Sequence, residues 1–148
     1  MEAIVFIGLP GSGKSSFFKE RFFHSHIRIN LDLLKTRHRE ERLLEFCLGT
    51  QQQFVVDNTN PTRLDRVRYI PAARARKFKI TGYYFQSKIG DCLARNALRL
   101  SAERVHEVAI LSIAKKMELP MPDEGFDQLF YVRLSDSGFA VEEWRDEV

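Results

Sequence analysis

The chain has 148 residues, close to one ordinary domain, and at 44% hydrophobic and 29% charged with 8 Gly and 5 Pro it falls outside the disordered, collagen-like and low-complexity classes. Basic side chains number 23 against 20 acids, a net charge of +3, and 2 cysteines are too few for a disulfide framework or a four-ligand zinc site. The longest apolar stretches, Ala3–Pro10 and Val108–Ala114, are too short to span a bilayer, and the absence of a basic n-region with a cleavage site predicts a reduced, cytoplasmic setting.

Ala3-Ile4-Val5-Phe6-Ile7 is a continuous β-branched and aromatic run, the pattern of a strand buried on both faces at the centre of a parallel sheet. A helix is expected from Lys14 to about Phe23, a short strand over His26–Ile29, and a helix from Leu33 to about Gln51 broken near Thr36. Phe54-Val55-Val56-Asp57 reads as a third strand, apolar and then abruptly polar. Asn60 as N-cap and Pro61 in the first turn predict a helix running to about Lys77, with a kink or break at Pro71. Phe78–Phe85 is expected as a strand, Lys88 to about Leu100 and Ala102–Met117 as helices, and Leu129–Leu134 as the last strand. In the second of those helices Val105, Ala109, Ile113 and Met117 recur at four-residue steps. Alternating strands and helices without repeat or linker predict one α/β domain over residues 1–148, with a parallel sheet flanked by helices.

Charge is unevenly spread. Between Arg63 and Lys79 there are seven basic residues against Asp65 alone, while Ser135–Val148 carries five acids against Arg145. Such a basic block suits a phosphate-rich partner or, equally simply, a solvated helix face. His24 and His26 lack a neighbouring third ligand for a metal, and Cys47 and Cys92 sit in apolar helical patterns as small core residues.

Gly8-Leu9-Pro10-Gly11-Ser12-Gly13-Lys14-Ser15 satisfies G-x-x-x-x-G-K-[ST], and it follows a buried-strand pattern and opens a helix. Glycines let successive backbone N–H groups converge on phosphate oxygens, and the helix start adds its positive dipole end. Lys14 supplies a point charge to the β/γ-phosphates and the Ser15 hydroxyl is placed to ligate Mg²⁺. Gly8, Pro10, Gly11, Ser12, Gly13, Lys14, Ser15 and Ser16 are the candidate ATP-binding residues.

Three features bear on the group that receives the phosphate. Asp32 follows the second strand, where open parallel sheets place their ligand crevice; it suits a general base and equally a helix N-cap. Asp57-Asn58-Thr59-Asn60-Pro61 leaves the third strand, and its acid could hold Mg²⁺ through water or orient Ser15. Arg95 and Arg99 are four apart, as a lid over a triphosphate requires or as a solvated helix face allows.

Together, Gly8–Ser15, Asn30-x-Asp32, Asp57-Asn58-Thr59-Asn60-Pro61, Arg95-Asn96-x-x-Arg99, Leu119-Pro120 and Glu124-Gly125-Phe126 resemble the P-loop kinase domain of polynucleotide 5′-hydroxyl kinases, from Ile4 to about Val132. The resemblance implies ATP-dependent transfer of the γ-phosphate to the 5′-OH end of DNA or RNA, with Mg²⁺. It assigns Asp32 as general base, Lys14 and Ser15 to ATP and Mg²⁺, and Arg95 and Arg99 to a helical lid. Lys35, Asp57, Asn58, Asn60 and Arg63 become acceptor-binding candidates. Lys35 stands where microbial members often have Arg, Leu31 replaces a commonly basic residue, and no second carboxylate motif of a phosphatase appears. Two other readings share the cradle: a P-loop kinase for a small-molecule hydroxyl, and a non-catalytic nucleic-acid-binding domain.

Overall fold

A run such as Ala3–Ile7 has no polar side to offer water and needs cover on both faces. In the computed structural model, which describes residues 1–145, it forms most of β1 (Glu2–Ile7) at the middle of a sheet. Asp146 and Glu147, counted above in the acidic run, lie outside the described residues. β2 (Ile27–Ile29), β3 (Phe54–Val56), β4 (Lys79–Phe85) and β5 (Gln128–Ser135) lie parallel to it in the order β2-β3-β1-β4-β5. The register pairs Ala3 with Phe54 on one side of β1 and with Ile80 on the other.

The sheet is mixed rather than wholly parallel. A sixth strand, β6 (Gly138–Glu143), runs antiparallel to β5 with Val132 opposite Val141, inside the segment read from sequence as an acidic tail. Its inner residue Phe139 packs against the core, while Glu142 and Glu143 are exposed.

Alternation along β1 sends side chains to two cores. Ala3, Val5 and Ile7 meet Leu44, Cys47 and Leu48 of α3 (Arg37–Thr50) with Tyr69, Ile70 and Ala73. Ile4 and Phe6 meet Phe17 and Phe18 of α1 (Lys14–Arg21), Phe85 and Val132. Thr36 does break the second helical segment: α2 (Leu31–Leu34) ends before it, and its side chain caps α3 by accepting from Arg39 N.

The helix expected from Asn60 to Lys77 is two helices, α4 (Arg63–Arg66) and α5 (Ile70–Ala75), and Asn60 caps neither. Thr62 is the cap, in a reciprocal box with Asp65, and Pro71 sits in the first turn of α5, where its missing N–H is harmless. Asn60 instead takes φ 44° and turns its amide inward to donate to Phe6 O at 2.8 Å.

The last two helices are shorter than their apolar patterns suggest: α6 is Ile89–Ala97 and α7 is Glu107–Lys116. Between them the buried Asn96 amide clamps the connection, donating to Val105 O at 2.6 Å and accepting from Val105 N at 2.9 Å. Cys92 of α6, Ile110 of α7 and Leu9 of the glycine loop form a small core of their own. No helix of the described residues is long and apolar enough to cross a membrane.

Candidate active site

The glycine loop is wedged between neighbours that leave no room for side chains. Gly11 and Gly13 hold φ of 82° and 99°, a conformation that costs other residues about 1–2 kcal/mol. A Cβ on Gly11 would lie 2.6 Å from Cys92 O, so α6 rests directly on the loop. On the other side a Cβ on Gly13 would lie 3.1 Å from the Phe139 ring. From below, Gly8 N donates to Thr59 O at 3.0 Å, tying the loop to the segment after β3.

Lys14 opens α1 and is buried, its ammonium donating to Gly8 O at 2.9 Å and Leu9 O at 2.8 Å. Burial pulls its pKa down to about 8; Asp57 opposes this most strongly, Arg99 adds to it, and Asp32 opposes it more weakly. Four groups named from sequence therefore share one electrostatic environment. Gly8, Pro10, Gly11 and Ser12 are buried, while Ser16 is exposed on α1.

Ser15 Oγ donates to Asp57 Oδ2 at 3.2 Å, and the Asp57 side chain is 1% exposed. A hydroxyl and a carboxylate oxygen so paired are a hard-oxygen donor set that suits Mg²⁺. Arg28 of β2 closes a triangle with them, its Nε on Asp57 Oδ2 at 2.8 Å and its Nη2 on Ser15 Oγ at 2.9 Å.

Asp32 is not the cap of its helix. Asn30 is, with Oδ1 accepting from Leu33 N at 2.9 Å and Nδ2 donating to Asp57 O at 2.6 Å. Asp32 is left exposed in the first turn of α2, at the carboxyl end of β2.

Asn58 steers that helix. Its Oδ1 accepts from Leu31 N at 2.8 Å, and its Nδ2 donates to Glu40 Oε2 at 2.9 Å and Tyr69 Oη at 3.3 Å. Glu40 is buried and also accepts from Arg37 Nη1 at 2.7 Å and Tyr69 Oη at 3.1 Å. Burial, with Glu40's charge, pushes the Tyr69 hydroxyl up to about 12. Asn58 and Asn60, expected to meet an acceptor, make hydrogen bonds to these internal partners and to Phe6 O.

Of the seven residues of the basic block, Arg66 alone is buried. Arg66 is 0% exposed, with Nε and Nη2 on Glu124 at 2.7 and 3.1 Å and Nη1 on Asn60 O and Glu118 O at 2.9 and 3.1 Å. Arg63 pairs with Asp123 at 2.9 Å, Arg74 donates to Gly125 O at 2.9 Å, and Arg68, Lys77 and Lys79 are exposed. Lys35, at the end of α2, is exposed with φ 75°.

Arg95 and Arg99 do not share one helix face, since α6 ends at Ala97 and Arg99 lies in the tight turn beyond. Both still address the loop. Arg95 Nη1 donates to Gly11 O at 3.1 Å, and Arg99's charge weighs on Lys14.

Sequence reasoning passed over Arg28, Glu40, Arg66 and Tyr69. Glu40 did leave a signal, because it stands on the same stripe as Leu44, Cys47 and Leu48, where an acid needs a partner.

No family model matches the chain. Over 129 residues it is 29% identical to the bifunctional polynucleotide phosphatase/kinase of Schizosaccharomyces pombe, covering 84% of this chain and 32% of that protein. Over 136 residues it is 29% identical to an Acanthamoeba polyphaga mimivirus protein provisionally given the same name, covering 86% of this chain and 32% of that protein. The chain thus spans about a third of the length of these curated relatives, at 32% of each. Among solved structures it is similar to a gluconokinase from Sinorhizobium meliloti, with TM-score 0.65 and 15% identity over 91% of this chain and 83% of that one. It is also similar to Chaetomium thermophilum Kti12 in complex with ADP-AlF3, with TM-score 0.63 and 16% identity over 90% of each chain. A Mycobacterium tuberculosis APS kinase in complex with AMPPNP and APS matches with TM-score 0.56 and 18% identity over 89% of this chain and 87% of that one. The fold is that of the P-loop kinases, and the likeness to polynucleotide kinases read from the motifs extends along most of the sequence.

Proposed function

We propose that residues 1–148 act as one P-loop kinase domain that transfers the γ-phosphate of ATP to the 5′-OH end of DNA or RNA. The observation that carries this reading is an exposed Asp32 on the turn that Asn30 ties to Asp57 O, with the Asp57 carboxylate accepting from Ser15, next in sequence to the buried Lys14, in a chain similar over most of its length to two polynucleotide phosphatase/kinases. The loop amides and Lys14 hold the phosphates, and Arg95 of α6 and Arg99 of the turn after it come over them to meet charge that develops on the transferred group. Ser15 and Asp57 would hold Mg²⁺, which when bound neutralises charge on the phosphate oxygens. Asp32 accepts the proton of the attacking hydroxyl. Lys35 lies at the end of the helix that carries Asp32, on the acceptor side.

A second reading, phosphorylation of a small-molecule hydroxyl, is favoured by one observation: Arg63, Arg66 and Arg74 are engaged with Asp123, Glu124 and Asp127 rather than arrayed for a polyanion. Incubation with labelled ATP and Mg²⁺ and matched 5′-OH DNA, RNA, mononucleotide and sugar acceptors separates the two. Transfer to oligonucleotides, weakening steeply with salt, supports the first. Transfer confined to a small acceptor overturns it.

A further inference from the structure

β2 brings to the site a side chain that the proposed reaction does not use. Arg28 donates from Nε to Asp57 Oδ2 at 2.8 Å and from Nη2 to Ser15 Oγ at 2.9 Å, and its guanidinium carbon lies 5.9 Å from the centre of the Phe18 ring. A planar cation thus stands between the two oxygens suited to a divalent ion. Both are cations drawn to the same two oxygens, so a metal ion and the guanidinium compete for the position. With 28% of its side chain exposed, Arg28 has a way out into solvent that Asp57, at 1%, lacks.

A brace for Asp57 alone would need only the carboxylate; the second bond, to the Ser15 hydroxyl, is what places the positive charge at the metal position. We infer that Arg28 is a resident cation of this site: it holds Ser15 and Asp57 in order before metal arrives, supports nucleotide binding without metal, and sets how much divalent ion is needed to displace it. The inference rests on the nucleotide site alone and is independent of what accepts the phosphate. Without Arg28, Asp57 loses its hydrogen-bonded ion pair and keeps only the field of Lys14, so a divalent ion has more charge to neutralise.

The test is binding of a fluorescent ADP analogue to the full chain and to Arg28→Gln and Arg28→Lys, titrated in EDTA and across a Mg²⁺ series. Thermal melts of each variant report folding. In EDTA, Arg28→Gln should bind the nucleotide roughly five- to tenfold more weakly, and its Mg²⁺ midpoint should fall by at least roughly threefold, as expected for one desolvated charge–charge contact. Arg28→Lys keeps the charge without the two-pronged reach, so its midpoint should fall between; it carries the comparison should Arg28→Gln melt too early. Wild-type Mg²⁺ midpoints in both variants would overturn the inference. Failure of the wild-type chain to bind the nucleotide at all would instead overturn the nucleotide-site reading beneath it.

Discussion

Replacing Arg66 by Met isolates what the basic block does. The change removes a guanidinium that is 0% exposed and makes four hydrogen bonds, two to the Glu124 carboxylate and two to the carbonyls of Asn60 and Glu118. Glu124, whose side chain is 3% exposed, is left as a buried charge without its partner. Breaking one side of such a pair costs about 3–5 kcal/mol, a large share of the roughly 5–15 kcal/mol that holds a domain together. At about 2–4 °C per kcal/mol for a chain of this size, Tm should fall by roughly 6–20 °C. Urea and thermal melts followed by circular dichroism measure this, and Arg66→Met/Glu124→Met should recover much of the loss because no charge is stranded. The reasoning is refuted if Arg66→Met melts within about 0.5 kcal/mol of the wild type while its KM for a 5′-OH oligonucleotide rises, since Arg66 would then be a phosphate contact in solution.

Asp32→Asn should keep ADP affinity and lose most turnover, because the near-isosteric amide cannot accept a proton; turnover near the wild-type level would remove Asp32 as base. Lys14 has a pKa of about 8 in the fold against an ordinary 10.5, so between these values the unfolded chain binds more protons and this group makes stability rise with pH. Urea melts at about pH 7.5, 9 and 10 should show that rise flattened in Lys14→Met, and an unchanged slope would contradict the burial argument. Lys35→Ala should raise KM for the acceptor and leave KM for ATP nearly unchanged, whereas Arg99→Ala should lower turnover with every acceptor alike. A KM for ATP that moves with Lys35→Ala would place that lysine on the donor side.

Parts of the molecule dominated by one physical demand were legible in the sequence. Ala3–Ile7 has no polar side, and Gly11 and Gly13 stand where φ must be positive, so the central strand and the phosphate loop could be read directly. Where two demands compete, local rules misled. Asn60 is a good N-cap residue, yet its amide turns inward to the buried Phe6 O while Thr62 caps the helix. β6 is a run of Gly, Phe, Ala and Val followed by two Glu, a stretch too short to stand out from the acidic tail around it, and only Phe139 against Gly13 shows its purpose. Arg66 and Arg28 gave no local warning, because their partners Glu124 and Asp57 are 58 and 29 residues away along the chain. The acceptor candidates suffered most for the same reason: Asn58 looks like a loop polar residue until Leu31, Glu40 and Tyr69 are folded around it.

The small core of Leu9, Cys92 and Ile110 is separate from the two large ones, and through it α6 and α7 pack on the glycine loop. With three buried side chains against seventeen and seven in the larger cores, this unit is expected to open below the free energy of global unfolding. Amide hydrogens of α6 and α7 should therefore exchange with deuterium ahead of those in β1 and β4. Because Leu9 belongs to that unit as well as to the phosphate loop, each such opening also slackens the cradle. A nucleotide gripped by the cradle would hold both shut, and its arrival would be recorded as slowed exchange in α7 as well as in α6, which carries Arg95.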